Sequence, residues 1–280
     1  MTLPRPFAIA RSAMLATALL ASSSVAALAQ KPTNWAIDMQ KSQGPIETQI
    51  QWLNHLVFYL IVAIVVFVAG LLLFTIWRFG AKRNPVANKV SHNTLLEVAW
   101  TLIPALILVV IAIPSFRLVY YEDRTHDADL TIKVTGHRWF WEYNYPDQGN
   151  IDFTSYPIPD SQLKPGQLRR LDVDNQLVVP VGKNIRVLTT GYDVIHSFFI
   201  PSLGEQRYAI PGRTIETWFR VDHPGTIYGE CNQICGVNHS NMPISVQAVT
   251  PDEFKAWVVT AKTKYASDQN STPVHLASQP

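Results

Sequence analysis

The stretch Leu56-Val-Phe-Tyr-Leu-Ile-Val-Ala-Ile-Val-Val-Phe-Val-Ala-Gly-Leu-Leu-Leu-Phe-Thr-Ile-Trp77 runs 22 residues without a charge. At ~1.5 Å per helical residue it is long enough to cross a hydrocarbon layer of ~30 Å. A soluble core helix does not stay apolar on every face for that length, because one face normally meets water. A second run of 19 residues, Val98 to Phe116, carries Pro104 and Pro114 and reads the same way. The pair predicts a transmembrane hairpin, with helices over 53–78 and 97–118 and a connecting loop over 79–96.

The loop sets the orientation. Arg78, Lys82, Arg83 and Lys89 precede the first acid at Glu97, so the loop is expected in the cytoplasm. Trp52, Trp77 and Trp100 stand near the run ends, where amphipathic rings favour the interface. Upstream, Arg5 and Arg11 precede an apolar, small-residue stretch closing on Ala27-Leu28-Ala29. This is the pattern of a signal peptide over 1–29, and it agrees with outer segments in the periplasm. No cysteine lies near that cleavage point, which argues against a lipoprotein. Residues 30–52 would form a short periplasmic segment. Removing 1–29 takes away two arginines and no acids, so a formal charge of +2 falls to about zero. No basic tract remains for nucleic acid, and that class of function is set aside.

The chain from about 127 to 265 changes character. Thr131–Thr135, Leu177–Val179, Asn184–Thr190, Thr214–Val221 and Ile244–Val249 are β-branched or alternating. Turn signals such as Lys164-Pro-Gly, Ile210-Pro-Gly-Arg and His223-Pro-Gly separate them. Short strands between Pro/Gly turns predict an all-β sandwich or Greek-key barrel. A helix is expected from Pro251 to about Lys264, with proline in its first turn and Asp252 and Glu253 following. Residues 266–280 read as a flexible polar tail.

All the cysteine of the protein falls in Gly229-Glu-Cys-Asn-Gln-Ile-Cys-Gly-Val-Asn-His-Ser-Asn-Met-Pro243. Three readings are open on chemistry alone. A disulfide is the periplasmic default for two cysteines, though a bridge over three intervening residues closes little loop entropy. Zinc accepts two thiolates and two imidazoles, but leaves Met242 without a role. Copper takes thiolate, imidazole and thioether together on β frameworks, and a second cysteine allows two bridging sulfurs. His196, in the apolar stretch after the 184–190 strand, is the candidate upstream imidazole.

Several motifs in order carry a resemblance that extends well beyond this loop. They are Glu97-x-x-Trp-Thr-x-x-Pro104, Gly136-His-Arg-Trp-Phe-Trp141, Leu163-Lys-Pro-Gly166, Val173-Asp-Asn175, Pro201-Ser-Leu-Gly204 and Ile210-Pro-Gly-Arg213. With the cysteine loop, they make the mature chain closely resemble subunit II of the haem-A type cytochrome c oxidases of bacteria. The resemblance implies a cupredoxin-like Greek-key barrel holding a binuclear copper centre, CuA. It implies side-chain ligands His196, Cys231, Cys235, His239 and Met242, with the backbone carbonyl of Gln233 as the sixth donor. It further implies electron entry from cytochrome c at Trp139, and onward transfer to haem in subunit I, where O2 becomes water. Asp174 and Asp193 would help dock the donor, and Glu97 would stand at the mouth of a proton channel. Subunits I and III are the implied membrane partners of this proton-pumping oxidase.

Two departures from the family pattern matter. Gln233 replaces a glutamate that helps hold magnesium at the subunit I border, so no magnesium is assigned to this chain. Glu205-Gln-Arg-Tyr208 stands where the family more often has a basic and then an acidic residue. The competing function is a membrane-anchored structural module stapled by a Cys231–Cys235 disulfide. A copper-free quinol oxidase subunit would lack the ligand set present here.

Overall fold

The computed structural model describes residues 31–86, 88–123 and 127–266. The signal segment expected over 1–29, and the tail expected over 266–280 apart from residue 266, lie outside the described residues. Two long helices come first, α1 (Pro45–Phe79) and α2 (Thr94–Asp123). Both contain the apolar runs, and their side chains project outward unburied, as a bilayer or partner helices require. Each helix extends past its apolar run. Pro45 at the first turn starts α1 ahead of the 53 boundary, because proline's fixed φ suits a position whose N–H has no helical partner. Asn93 starts α2, its Oδ1 accepting from Leu96 N–H at 3.2 Å. Glu97 lies in the first turn of that helix.

Ten strands follow. β1 (Leu130–His137), β2 (Phe140–Tyr145), β3 (Ile151–Ser155), β5 (Asn184–Gly191) and β8 (Ile215–Arg220) form one sheet in the order β3-β2-β1-β5-β8. β4 (Leu177–Pro180), β6 (His196–Ile200), β7 (Glu205–Ala209), β9 (Gly225–Cys231) and β10 (Pro243–Val249) form the other, in the order β4-β10-β9-β6-β7. One parallel pair sits in each sheet, β1 with β5 and β4 with β10; the remaining neighbours are antiparallel. A closing helix, α3 (Pro251–Ala266), packs against β3 and β4.

The aromatic strand β2 alternates strictly. Trp141, Tyr143 and Tyr145 are fully buried, while Phe140, Glu142 and Asn144 face outward. Burying each such ring contributes on the order of 1.5–3 kcal/mol, so this single strand anchors much of the core. Tyr145 also ties the two sheets: its hydroxyl donates to Val178 O at 2.9 Å and accepts from Val178 N–H at 3.0 Å. One continuous core takes side chains from both sheets and from α3.

The barrel is seated on the helix ends by specific bonds. Gln43, just before α1, donates its N–H to Ser202 O at 2.8 Å, and its carbonyl accepts from Asp222 N–H at 2.9 Å. At the end of α2, Tyr121 O accepts from Trp218 Nε1–H at 3.0 Å, and Asp123 pairs with Arg207 at 2.6 Å. The helices and the β domain therefore share a packed junction at the membrane boundary.

Candidate metal centre

Three pieces of chain converge at one edge of the second sheet. β6 begins with His196, β9 ends with Cys231, and the loop between β9 and β10 brings Cys235, His239 and Met242 back. The register fixes this, since Phe198 opposes Cys231 across the β6–β9 pair. Two backbone bonds hold the loop mouth closed: Cys231 N–H to Met242 O at 3.0 Å and Asn232 N–H to Ser197 O at 3.1 Å.

Both cysteines are free and buried, with their sulfurs 3.8 Å apart. That exceeds a disulfide bond of about 2.05 Å, so the sulfurs face each other unbridged. Each has an imidazole beside it. His196 Nδ1 lies 3.9 Å from Cys231 Sγ, and His239 Nδ1 lies 3.6 Å from Cys235 Sγ. The carbonyl of Gln233 sits 3.4 Å from Cys231 Sγ. His196, Cys231 and Cys235 place one donor atom each within 4.8 Å of one another. Met242 is buried at the same loop end.

The direction of the His196 ring has a cause. Its Nε2 lies 2.9 Å from Asp193 Oδ1, so Nε2 carries the hydrogen and donates, leaving the Nδ1 lone pair toward the sulfurs. Asp193 is itself held by the N–H groups of Arg138 at 2.8 Å and Val194 at 2.6 Å. Burial opposes its charge, yet the bonds from His196, Arg138 and Val194 outweigh that and lower its carboxyl to about 2. Burial lowers the basicity of His196, and Asp193 works against that shift. Burial, and then the adjacent Cys231 sulfur, push the Cys235 thiol up to about 12. Without a cation beside it the Cys235 thiol thus favours its proton.

Gly136 gives the ring its space, because a Cβ there would lie 2.9 Å from His196 Cγ. Trp139 lies in the turn between β1 and β2, half-buried, and closes over the cysteine loop at Gly236. A Cβ on Gly236 would fall 2.9 Å from Trp139 Cζ2, and its φ of +127° already disfavours a side chain. Gly236→Ala is therefore expected to cost about 1 kcal/mol and to displace the indole, seen as a lower melting temperature with altered tryptophan fluorescence.

Of the residues singled out in the sequence, the structure brings together His196, Cys231, Gln233, Cys235, His239 and Met242, with Trp139 over their loop. Asp174 is exposed some way along the chain, its Oδ1 accepting from the N–H groups of Tyr156 and Asn175. Glu97 belongs to the opposite end of the molecule, at the loop end of α2. Asp193 was expected as a docking acid; its bond to His196 was not anticipated, although a carboxylate three residues before a ligand histidine is a readable signal.

Comparison with known proteins matches this arrangement twice. Residues 130–249 match the family model "Cytochrome C oxidase subunit II, periplasmic domain", and residues 32–118 match the corresponding transmembrane domain. The chain belongs to the cytochrome c oxidase subunit II family. It is 46% identical over 243 residues to a probable cytochrome c oxidase subunit 2 of Rickettsia bellii, covering 87% of this chain and 90% of that one. It is 43% identical over 229 residues to cytochrome c oxidase subunit 2 of Cyanidium caldarium, covering 80% and 90%. A crystal structure of the periplasmic domain of subunit II from Bradyrhizobium japonicum is 48% identical, covering 51% of this chain and 99% of that domain, with a TM-score of 0.48. The chain is thus a cytochrome c oxidase subunit II, an inner-membrane protein with two spans and a periplasmic domain.

Proposed function

We propose that this subunit accepts electrons from cytochrome c at a binuclear copper centre and passes them to haem in subunit I, where O2 is reduced. The observation that carries the reading is the unbridged sulfur pair with one imidazole Nδ1 turned to each sulfur. That donor set suits copper. Cys231, Cys235, His196 and His239 would hold it, with Met242 and the Gln233 carbonyl completing the donor set. A single tetrahedral ion would leave those last two without a role. When bound there, a copper pair supplies one-electron storage between the donor and the haem.

The chain's own residues do the rest. The β6–β9 register fixes the sulfurs and His196 on rigid backbone, Asp193 holds the His196 tautomer, and Trp139 covers the loop as the entry point for electrons. Asp174 and Asp193 add negative potential to the receiving face, which favours a lysine-rich donor. Glu97, at the cytoplasmic end of α2, stands at the mouth of a proton-uptake path in subunit I. Subunit III completes the assembly, which pumps protons. Gln233, an amide, supplies no charge for magnesium.

The test is to load the full chain with copper and count it. The expected result is two copper ions per chain, no titratable thiol, and an electron paramagnetic resonance signal split by two equivalent copper nuclei. One ion per chain, or a Cys231–Cys235 disulfide in the loaded protein, would overturn the reading.

A further inference from the structure

At the seat between the barrel and the helices lies a cavity of about 680 Å³ lined by carboxyl groups from α1, α2, β7 and β8. Glu47 comes from the first turn of α1, Glu122 from the last turn of α2, and Glu205 from the start of β7. Glu205 is only 3% exposed. Its Oε2 accepts from Thr217 Oγ1 at 2.8 Å, while its Oε1 is buried without a partner among the described residues. Glu47 is 2% exposed and takes a hydrogen bond from the neutral amide of Gln51 at 2.8 Å.

Counter-charge is scarce. Arg207 is the cation lining the cavity, and Asp123 holds it at 2.6 Å. Glu216, on the β8 side, is matched by Arg186. The other side chains lining the cavity include no basic group. Glu47 and Glu205 are out of water with neutral donors, Glu122 is half-buried beside them and the one guanidinium is committed, so the three carboxyls cannot all stay ionised, because removal from water penalises each charge and the charges repel. Oε1 of Glu205 is the atom with a vacant hydrogen-bonding position. The cavity also has ample room for water, which needs only ~30 Å³ per molecule.

We propose that this cavity is a proton-binding site, in which Glu205 carries its proton on Oε1 at neutral pH and shares it with Glu47 and Glu122 through cavity water. The site lies apart from the copper ligands, and its argument does not depend on them. Burial, which the nearby Arg207 only partly offsets, raises the Glu205 carboxyl to about 8. A carboxyl raised in the folded state costs no stability below its ordinary value of 4.5; the cost grows as pH rises from there and is complete above about 8. Because the three acids come from α1, α2 and β7, their ionisation would act on the joint between membrane hairpin and barrel.

Infrared difference spectroscopy of the assembled oxidase tests this, comparing wild type with Glu205→Gln. The expected result is a protonated-carboxyl C=O band at pH 7 that shifts in D2O, fades as pH rises through about 8, and is missing from the variant. Glu122→Gln removes a like charge whose repulsion favours protonated Glu205, so that fading should move to lower pH; a midpoint that does not move would overturn the sharing. Thermal melting gives an independent readout: wild type should lose stability relative to Glu205→Gln between pH 4.5 and 8. Identical spectra in wild type and Glu205→Gln would overturn the proposal. So would stoichiometric calcium binding at neutral pH that erases the band, which would make the cavity a cation site instead.

Discussion

Replacing His196 with alanine, or either cysteine with serine, is expected to lower cytochrome c oxidation by more than about 100-fold, since lost ligands cost more than the outer-shell partners that already cost 10–100-fold. The loss should appear first as metal. His196 is fully buried, packed edge-on against Trp141 with ring centroids 6.1 Å apart, so no side chain from solvent can take its place. The sulfurs lie 3.8 Å apart on a loop whose mouth is closed by two backbone bonds, and neither sulfur can reach a substitute partner. Cys231→Ser also keeps the shape of the core, so the melting temperature before copper loading should change little while copper content falls. Full-speed oxidation by any of these variants would remove the site from the electron path. A variant with normal copper content and no activity would instead point to damage at the donor face.

Part of the fold and of the site is legible in the sequence. The apolar runs declared the hairpin through length alone, and the Pro/Gly punctuation declared short strands. The alternation of Trp141, Tyr143 and Tyr145 resolved as one buried face. β2, β3, β6, β7 and β9 are not among the expected strands, and three of them show why. β9 contains Gly225 and Gly229, which weaken a strand signal; Gly229 is there because a Cβ would fall 2.2 Å from Phe199 O on the neighbouring strand. β7, Glu205 to Ala209, is mostly polar and charged, so its alternation carries no hydrophobic contrast. β6 is buried on nearly every residue and has no alternation to read. The cysteine loop is legible as a candidate because its residue types are chemically rare together. Glu205 stood out only as a departure from a pattern; its burial depends on α1 and α2 folding back against β7, which no local window contains.

The second large effect is expected at Asp193, which touches none of the sulfurs. Asp193→Ala should weaken copper binding by about 10–100-fold, equivalent to about 1.4–2.8 kcal/mol. The cause is the lone pair at Nδ1. With Asp193 present, Nε2–H has a charged acceptor at 2.9 Å, and that acceptor remains ionised down to about pH 2. Without it the hydrogen can move to Nδ1, where it would point at the sulfurs and block the donor. Asp193→Asn is the informative companion, because its amide oxygen can still accept from Nε2–H but brings no charge. An affinity between those of wild type and Asp193→Ala would separate the hydrogen bond from the electrostatic contribution. The anchoring N–H groups of Arg138 and Val194 would lose their acceptor in the alanine variant as well, so its loop should also melt earlier. Competitive copper titration against a chelator, run beside melting curves of the metal-free chain, measures both effects. If Asp193→Ala bound copper as tightly as wild type, the His196 tautomer would have to be set by the sulfurs and the metal alone.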